Sequence, residues 1–236
     1  MDRISAVAER YLGALPARPA PRPLEEPHAV DCPTASRKVT LQVASDDRKG
    51  FVVMAWPAAA VEGDRALSRP FQLATRVFGR RLAQELREKR GLVYHADVET
   101  TLLGSGARAC PAIAAGFAVD PANVRAAVAS TREIALRLAR EGMSTEELTV
   151  VDRESLTRLT KRYEVAAQWA SLLEGLHTRN ENLATFALTL EGKRPADLRV
   201  VNQLVQSILS QPDLEVIALP STSLAEASKG ATPAQR

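Results

Sequence analysis

Apolar and polar side chains alternate early in this 236-residue chain in a way that predicts two β-strands. Every second residue of 38–44 is apolar, from Val39 to Val43, and a second apolar run covers residues 50–55. A period of two is typical of a strand with one buried face. The intervening residues 46–50 have the composition of a turn, so we expect the two strands to pair as an antiparallel hairpin.

A long helical pattern and two more strands follow this first pair. Apolar residues recur at helical spacing between residues 64 and 90, where Pro70 predicts a break or kink. Residues 94–102 and 109–119 have the character of strands and are separated by a Gly-Ser-Gly turn at 104–106. The pattern therefore places a helix between two pairs of strands.

Capping residues mark the helices in the second half of the chain. Asp120, which precedes a proline, is the predicted N-cap of a helix that ends at Gly142. Ser144 and Glu147 form a capping box for the next helix. We expect that helix to reach residue 163 and to continue or bend as far as Leu176.

A helix at about residues 195–209 and an apolar strand at residues 214–219 complete the pattern. The order β-β-α-β-β-α-α-α-β predicts an α+β fold, in which a mostly antiparallel sheet is flanked by helices on one side. Before the sheet, residues 2–14 show a helical apolar stripe, and five prolines between residues 16 and 27 indicate an extended linker.

Composition narrows the class of protein. Apolar residues make up 45% of the chain, and no apolar run is long enough for a transmembrane helix. The 31 Lys and Arg against 28 Asp and Glu leave a net charge of only +3, with bases and acids interspersed, so we do not expect nucleic-acid binding. Charged residues interrupt the apolar pattern of the N-terminus, unlike a signal peptide. The compartment stays open, periplasmic if a signal lies upstream and otherwise cytoplasmic.

Residues that usually carry metal or nucleophilic chemistry are sparse. His28, His95 and His177 lie too far apart in sequence to supply two imidazoles one helical turn apart, a common arrangement in zinc hydrolases. Cys32 and Cys110 show no metal-ligand spacing, and we expect two buried or half-buried thiols rather than a disulfide. Neither a phosphate loop nor a dinucleotide fingerprint nor a nucleophile elbow is present. We therefore expect no metal on this chain and no activity of the chain alone.

Residues 81–94, RLAQELREKRGLVY, join a basic amphipathic helix to a strand through Gly91, a favoured C-cap. Arg87 near the helix end and Tyr94 near the strand start are seven positions apart. This layout resembles the LRE-x-x-GL-x-Y signature in the second, zinc-free domain of insulinase/pitrilysin-family zinc peptidases, the inverzincins. The His-x-x-Glu-His zinc motif of that family is absent here. The segment AERYLGALP, residues 8–16, resembles the end of the preceding domain in the same family.

The resemblance, the prolines of the linker and the small polar residues after 220 together divide the chain into four expected parts. These are the tail helix of a preceding domain (1–15), a Pro-rich linker (16–37), a zinc-free peptidase-like domain (38–220) and a disordered tail (221–236). It also implies the metallohydrolase repeat fold of the insulinase and mitochondrial-processing-peptidase type. Zinc and the general base would belong to a homologous domain or subunit. The expected partners are that zinc-bearing partner and a peptide substrate, with a homodimer as a further option.

The resemblance implies roles for two residues. Arg87 would hold the substrate backbone, and Tyr94 would donate its hydroxyl toward the scissile carbonyl as negative charge develops there. On the residues alone, Arg87 is also explained as a solvated cation at a helix end, and strand parity with Ala96 and Val98 would pack Tyr94 into the core. A basic ridge along the helix, which could attract acidic peptides or simply face solvent, consists of Arg76, Arg80, Arg87 and Arg90.

Three functions remain open from the sequence. The first is the non-metal-binding C-terminal domain of a bacterial insulinase-type zinc metallopeptidase, which contributes peptide binding and transition-state contacts to a zinc site elsewhere. The second is a non-catalytic core or assembly subunit of the same fold, with no proteolytic role. The third is an unrelated α+β binding module that contains a helix–glycine–strand joint by coincidence.

Overall fold

The computed structural model of this chain describes residues 2–13, 15–16, 32–45, 47–61, 65–103, 110–162, 164–178 and 196–221. Most of the predicted linker, His28, the turn at 104–106 and the predicted tail beyond Ser221 lie outside these ranges. Within them, no helix combines the length and the apolar character that a membrane span requires.

The described residues form six α-helices. They are α1 (Asp2–Leu12), α2 (Ser68–Ala83), α3 (Val124–Glu141), α4 (Thr145–Arg162), α5 (Ala166–Thr178) and α6 (Leu198–Leu209). The predicted kink at Pro70 is wrong, because α2 begins only at Ser68 and Pro70 lies in its first turn, where a missing amide N–H costs no helical hydrogen bond. The irregularity lies at the other end, where a π-helical turn, Gln84–Lys89, continues α2.

Five strands of the described residues form one sheet. They are β1 (Arg37–Ala44), β2 (Gly50–Pro57), β3 (Val93–Leu103), β4 (Cys110–Val119) and β5 (Leu214–Ser221). The order across the sheet is β1-β5-β2-β4-β3. β1 and β5 are parallel, whereas β2 is antiparallel to both β5 and β4, and β3 is antiparallel to β4.

The predicted hairpin between β1 and β2 is wrong, because β5 lies between these two strands. Val39 of β1 is level with Val216 of β5, and Val53 of β2 is level with the same residue from the other side. Each strand was visible in the local alternation, but a strand's neighbour is a long-range choice that alternation does not encode.

The prediction of an α+β fold with helices on one side of the sheet is confirmed. Alternate residues of the central strands point into a core beneath α2, α3 and α6, where Trp56 meets Phe78 edge to face with ring centroids 5.3 Å apart. Large side chains that are fully buried there are Met54, Leu73, Leu82, Ile113, Phe117, Ile134, Leu138 and Ile208. The opposite face, which we call the open face, leaves Phe51 and Val216 exposed.

The predicted cap residues make capping hydrogen bonds, although Asp120 caps a 3₁₀ turn, Pro121–Asn123, that leads into α3, and Glu147 also makes a tertiary contact. Asp120 Oδ1 accepts a hydrogen bond from the amide of Ala122. In the capping box, Glu147 N–H donates to Ser144 Oγ at 3.1 Å and Ser144 N–H donates to Glu147 Oε2 at 2.9 Å. Arg81 of α2 donates to both oxygens of the Glu147 carboxylate at 2.9 Å, which fastens α2 to the start of α4.

A second ion-pair cluster fixes the start of β5 to α3. Arg132 donates to both carboxylate oxygens of Asp213 at 2.9 and 2.8 Å and to Glu215 Oε2 at 3.0 Å. Lys38 Nζ lies 2.8 Å from the other Glu215 oxygen in an ion pair without hydrogen-bond geometry. Since both carboxylates are buried, the cations next to them compensate for lost hydration. The hydrogen bonds that Arg132 donates to Asp213, more than the negative charge of Asp213, raise the pKa of Arg132 although burial opposes the shift.

Candidate functional site

Arg87 is carried by the π-helical turn and not by a regular α-helix. The amide of Arg90 donates to the carbonyl of Glu85 at 3.1 Å, five residues earlier, and a π-turn of this kind redirects the side chains that follow it. Leu86 is fully buried and anchors the turn on the core, whereas Arg87 is exposed. The segment ends at Gly91, whose φ of 58° agrees with its predicted role as a C-cap.

Glu85 fastens this turn to α3. Its carboxylate is 12% exposed and accepts hydrogen bonds from Lys89 Nζ at 3.2 Å and Arg90 Nε at 3.1 Å. Arg90 also donates to Ser130 Oγ of α3 at 2.6 Å. The hydrogen bond from Lys89, followed by that from Arg90, lowers the pKa of Glu85 although burial opposes the shift. The carboxylate is therefore charged at neutral pH and holds the helix end that presents Arg87.

Tyr94 leaves the core because β3 contains a bulge. Val93 pairs with Val119 and Ala96 with Phe117, so two residues of β3 oppose a single residue of β4. The extra residue breaks the parity that would have placed Tyr94 on the same face as Ala96. Its side chain is 82% exposed, and the sequence-based argument for a core position is wrong.

The structure brings Arg87 and Tyr94 into contact. The guanidinium carbon of Arg87 lies 5.6 Å from the centroid of the Tyr94 ring, which is the geometry of a cation–π pair. Stacking on the ring face leaves the phenolic hydroxyl at the ring edge accessible. The pair combines a guanidinium and a phenolic hydroxyl donor within one exposed patch, a combination that can hold and polarise a carbonyl oxygen.

The predicted basic ridge is dispersed in the structure. Arg80 pairs with Glu154 of α4 at 2.8 Å, and Arg90 turns toward α3. Arg76 is partly buried, and burial, followed by the charge of Arg158, lowers its pKa. Only Arg87 of the four faces β3. We therefore find no continuous basic surface along the described part of this helix.

The three histidines lie in different parts of the chain. His28 lies outside the described residues, His95 is on β3, and His177 is in α5. His95 Nε2 lies 2.8 Å from Asp97 Oδ1. Among the residues that the structure describes, no group of three or more His, Cys, Asp or Glu side chains could hold a metal ion. The described side chains thus do not fit a zinc site.

The expectation of two free thiols is wrong, because Cys32 and Cys110 form a disulfide. The bond joins the residue that leads into β1 to the first residue of β4, with Cα atoms 5.1 Å apart. The two positions are 78 residues apart in sequence, and nothing in that spacing indicated the contact. The disulfide, the bulge and the π-turn are the features that sequence reasoning missed.

Comparison with known families and structures identifies what this arrangement is similar to. Residues 2–153 match the family described as the peptidase M16 inactive domain. No curated protein is significantly similar to the chain.

Solved structures of the same fold include three proteins whose sequences differ widely from this one. A peptidase M16 inactive domain from Pseudomonas fluorescens is 19% identical with a TM-score of 0.69, over 93% of this chain and 51% of that chain. The periplasmic protease PqqL from Escherichia coli is 17% identical with a TM-score of 0.69, over 93% of this chain and 24% of that protein. A predicted insulinase family protease from Yersinia pestis is 14% identical with a TM-score of 0.65, over 94% of this chain and 50% of that protein. The chain thus spans about half or less of the length of these proteins.

Proposed function

This chain belongs to the peptidase M16 inactive-domain family, and from that premise we propose that it supplies substrate contacts to a zinc site carried by a homologous domain or subunit. Arg87 binds the backbone of a peptide substrate, and Tyr94 donates its hydroxyl to the carbonyl that is attacked. In the same proposal, residues 1–15 end a preceding domain, residues 16–37 link it to residues 38–220, and zinc stays on the partner.

The observation that supports this proposal is the exposed pairing of Arg87 with Tyr94. Tyr94 lies on a strand that packs on a helical layer, yet it is 82% exposed and lies 5.6 Å from the guanidinium of Arg87. Arg87 is carried by the π-helical turn around Glu85, and Tyr94 is exposed at a bulge in β3. Backbone irregularities of these two kinds are concentrated at functional sites.

The chemistry follows from the two side chains. The Arg87 guanidinium offers several fixed donors to peptide carbonyls. The Tyr94 hydroxyl forms a hydrogen bond that strengthens as negative charge develops on the carbonyl oxygen, so its effect falls on the chemical step. When bound on the partner, zinc would supply the activated water.

Kinetics of the assembly between this chain and its zinc-bearing partner test the two roles. We expect Tyr94→Phe to lower kcat by about 10²-fold with little change in KM, because one oxyanion donor is lost. We expect Arg87→Ala to raise KM by about tenfold, because a charged hydrogen bond to the substrate is lost. Glu88→Gln is the matched control, since Glu88 is the exposed neighbour of Arg87. Unchanged kcat and KM in both variants, with full zinc content, would contradict the assignment.

The disulfide bears on where the protein works. Disulfides persist in oxidising compartments and are rare in the cytosol. The Cys32–Cys110 bond therefore supports a proposal that the chain functions outside the cytosol. Alkylation of the protein inside its native host, followed by mass measurement, would show a protected pair if this is correct and two modified thiols if it is not.

A non-catalytic assembly subunit is the second candidate, and one observation favours it. The open face carries exposed apolar side chains at Val39, Val43, Phe51 and Val216. Contiguous apolar surface of this kind marks association with another protein. In this alternative the chain binds a partner tightly, and hydrolysis does not depend on Arg87 or Tyr94, so the kinetic experiment separates the two functions.

A further inference from the structure

The open face of the sheet contains a cleft that begins at Tyr94. Its volume is about 440 Å³, and small residues of β4, Ala114, Gly116 and Ala118, line its floor. A Cβ atom built on Gly116 would meet only the tip of the Phe51 ring at 3.6 Å and the backbone oxygen of Val52 at 4.0 Å. The absence of large side chains on β4 thus creates the cleft.

The walls of the cleft differ in chemistry. On one side, β2 contributes Phe51, which is half exposed, and Val53. On the other side, β3 contributes Asp97 and Glu99, which are level with Gly116 and Ala114 of the floor. An apolar aromatic wall therefore faces a carboxylate wall across a floor without side-chain bulk.

The two carboxylates retain capacity to bind a cation. Asp97 is 76% exposed and is paired with His95 alone, and Glu99 has no ion pair within the described part of the chain. Lys49 also lines the cleft, but it precedes Gly50, which pairs with Val119. Val119 lies three residues, about 10 Å, along β4 from Gly116, the floor residue that is level with Asp97. Lys49 therefore lies at the end of the cleft that is away from Asp97. The cleft therefore has a basic end and an acidic wall.

We propose that this cleft is a subsite for a lysine or arginine side chain of the peptide, an inference that rests on the proposed function. Tyr94 lines the cleft and also contacts Arg87, so a peptide bound to that pair places a neighbouring side chain here. A long aliphatic stem packs over Gly116 against Phe51, and the cationic head reaches Asp97 and Glu99. The Phe51 ring adds a cation–π attraction to the cationic head, whereas the carboxylates of Asp97 and Glu99 would repel a glutamate side chain.

Binding of matched peptides to the assembly with its zinc-bearing partner tests the subsite. The probe is a fluorescent peptide library in which each position in turn is lysine, norleucine or glutamate, read by fluorescence anisotropy and by cleavage rate. At one position we expect lysine to bind about three- to tenfold more tightly than norleucine, with glutamate weakest, because exposed ion pairs and cation–π contacts have effects of that size. Added salt should reduce the preference.

Two variants separate charge in the cleft from charge elsewhere. Asp97→Asn/Glu99→Gln keeps the shape of the wall and should abolish the preference for lysine. Glu141→Gln/Glu146→Gln removes the same charge from exposed positions on the helical side and should leave it intact. Gly116→Val keeps both carboxylates but fills the floor, and should weaken binding of the lysine peptide.

The outcomes distinguish this inference from the proposed function. A lysine preference that survives Asp97→Asn/Glu99→Gln, or no preference in an assembly whose hydrolysis depends on Tyr94, overturns the subsite alone. A preference that disappears in the variant while Tyr94→Phe leaves hydrolysis unchanged supports the cleft and overturns the assigned role of Tyr94. Absence of binding to any peptide overturns both.

Discussion

Reduction of the Cys32–Cys110 disulfide should lower the free energy of unfolding substantially. The bond closes a segment of 78 residues that contains β1, β2, α2 and β3. Loop-closure entropy for that length corresponds to about 4.5 kcal/mol at 25 °C, and measured effects of disulfides are typically about 2–4 kcal/mol. Each kcal/mol shifts the Tm of a domain of this size by about 2–4 °C, so we expect a decrease in Tm of about 5–15 °C.

Thermal unfolding of the same oxidised preparation with and without a reductant measures this effect directly, without the cavity that a substitution would leave. The Cys32→Ala/Cys110→Ala variant is the control, because its Tm should not respond to reductant. Alkylation before reduction followed by mass spectrometry establishes the starting state. Equal Tm values for the oxidised and reduced protein, or two reactive thiols after oxidation, would refute the reasoning.

Three further predictions concern the contacts that position the helices and the site. Arg81→Met should cost about 1 kcal/mol at pH 7, since a third of the Glu147 side chain is exposed. Hydrogen bonds from Arg81 lower the folded-state pKa of Glu147 below its unfolded value of 4.5. The ion pair therefore contributes its full stabilisation above pH 4.5 and loses it as the pH falls below that value. In urea unfolding, the difference in free energy of unfolding between wild type and Arg81→Met should be smaller at pH 3 than at pH 7. Arg132→Met should cost about 2–3 kcal/mol, because the buried carboxylates of Asp213 and Glu215 lose a compensating cation. Arg125→Met, at an exposed position of the same helix, should cost little. Equal losses of unfolding free energy in the two variants would contradict the role of this cluster. Gly91→Ala should cost about 1–2 kcal/mol from its φ of 58° alone, since no atom lies within 4 Å of the new Cβ, and Tm measurement against a milder Gly91→Asn checks this.

The candidate site was only partly predictable from the sequence. Arg87, Gly91 and Tyr94 were recognisable because a helix end, its cap and the following strand are local features with characteristic residues. Their contact was not predictable, since it depends on the π-turn and the bulge. An argument from periodicity assumes that the helix and the strand are regular throughout. The π-turn and the bulge each insert one extra residue, and the packing against other elements decides where. Parity therefore predicted a buried Tyr94, and the structure has it exposed.

The sequence by itself determined the elements, most helix caps and the α+β class. These depend on interactions within a few residues, such as the Ser144–Glu147 capping box and the alternation in β1. Only the tertiary structure decided that β5 lies between β1 and β2, that Cys32 meets Cys110, and that Asp97 and Glu99 face Phe51 across a floor of small residues. Each of these contacts joins segments far apart in the chain, where many pairings satisfy the same local pattern and the packing of the whole sheet and its helices selects one.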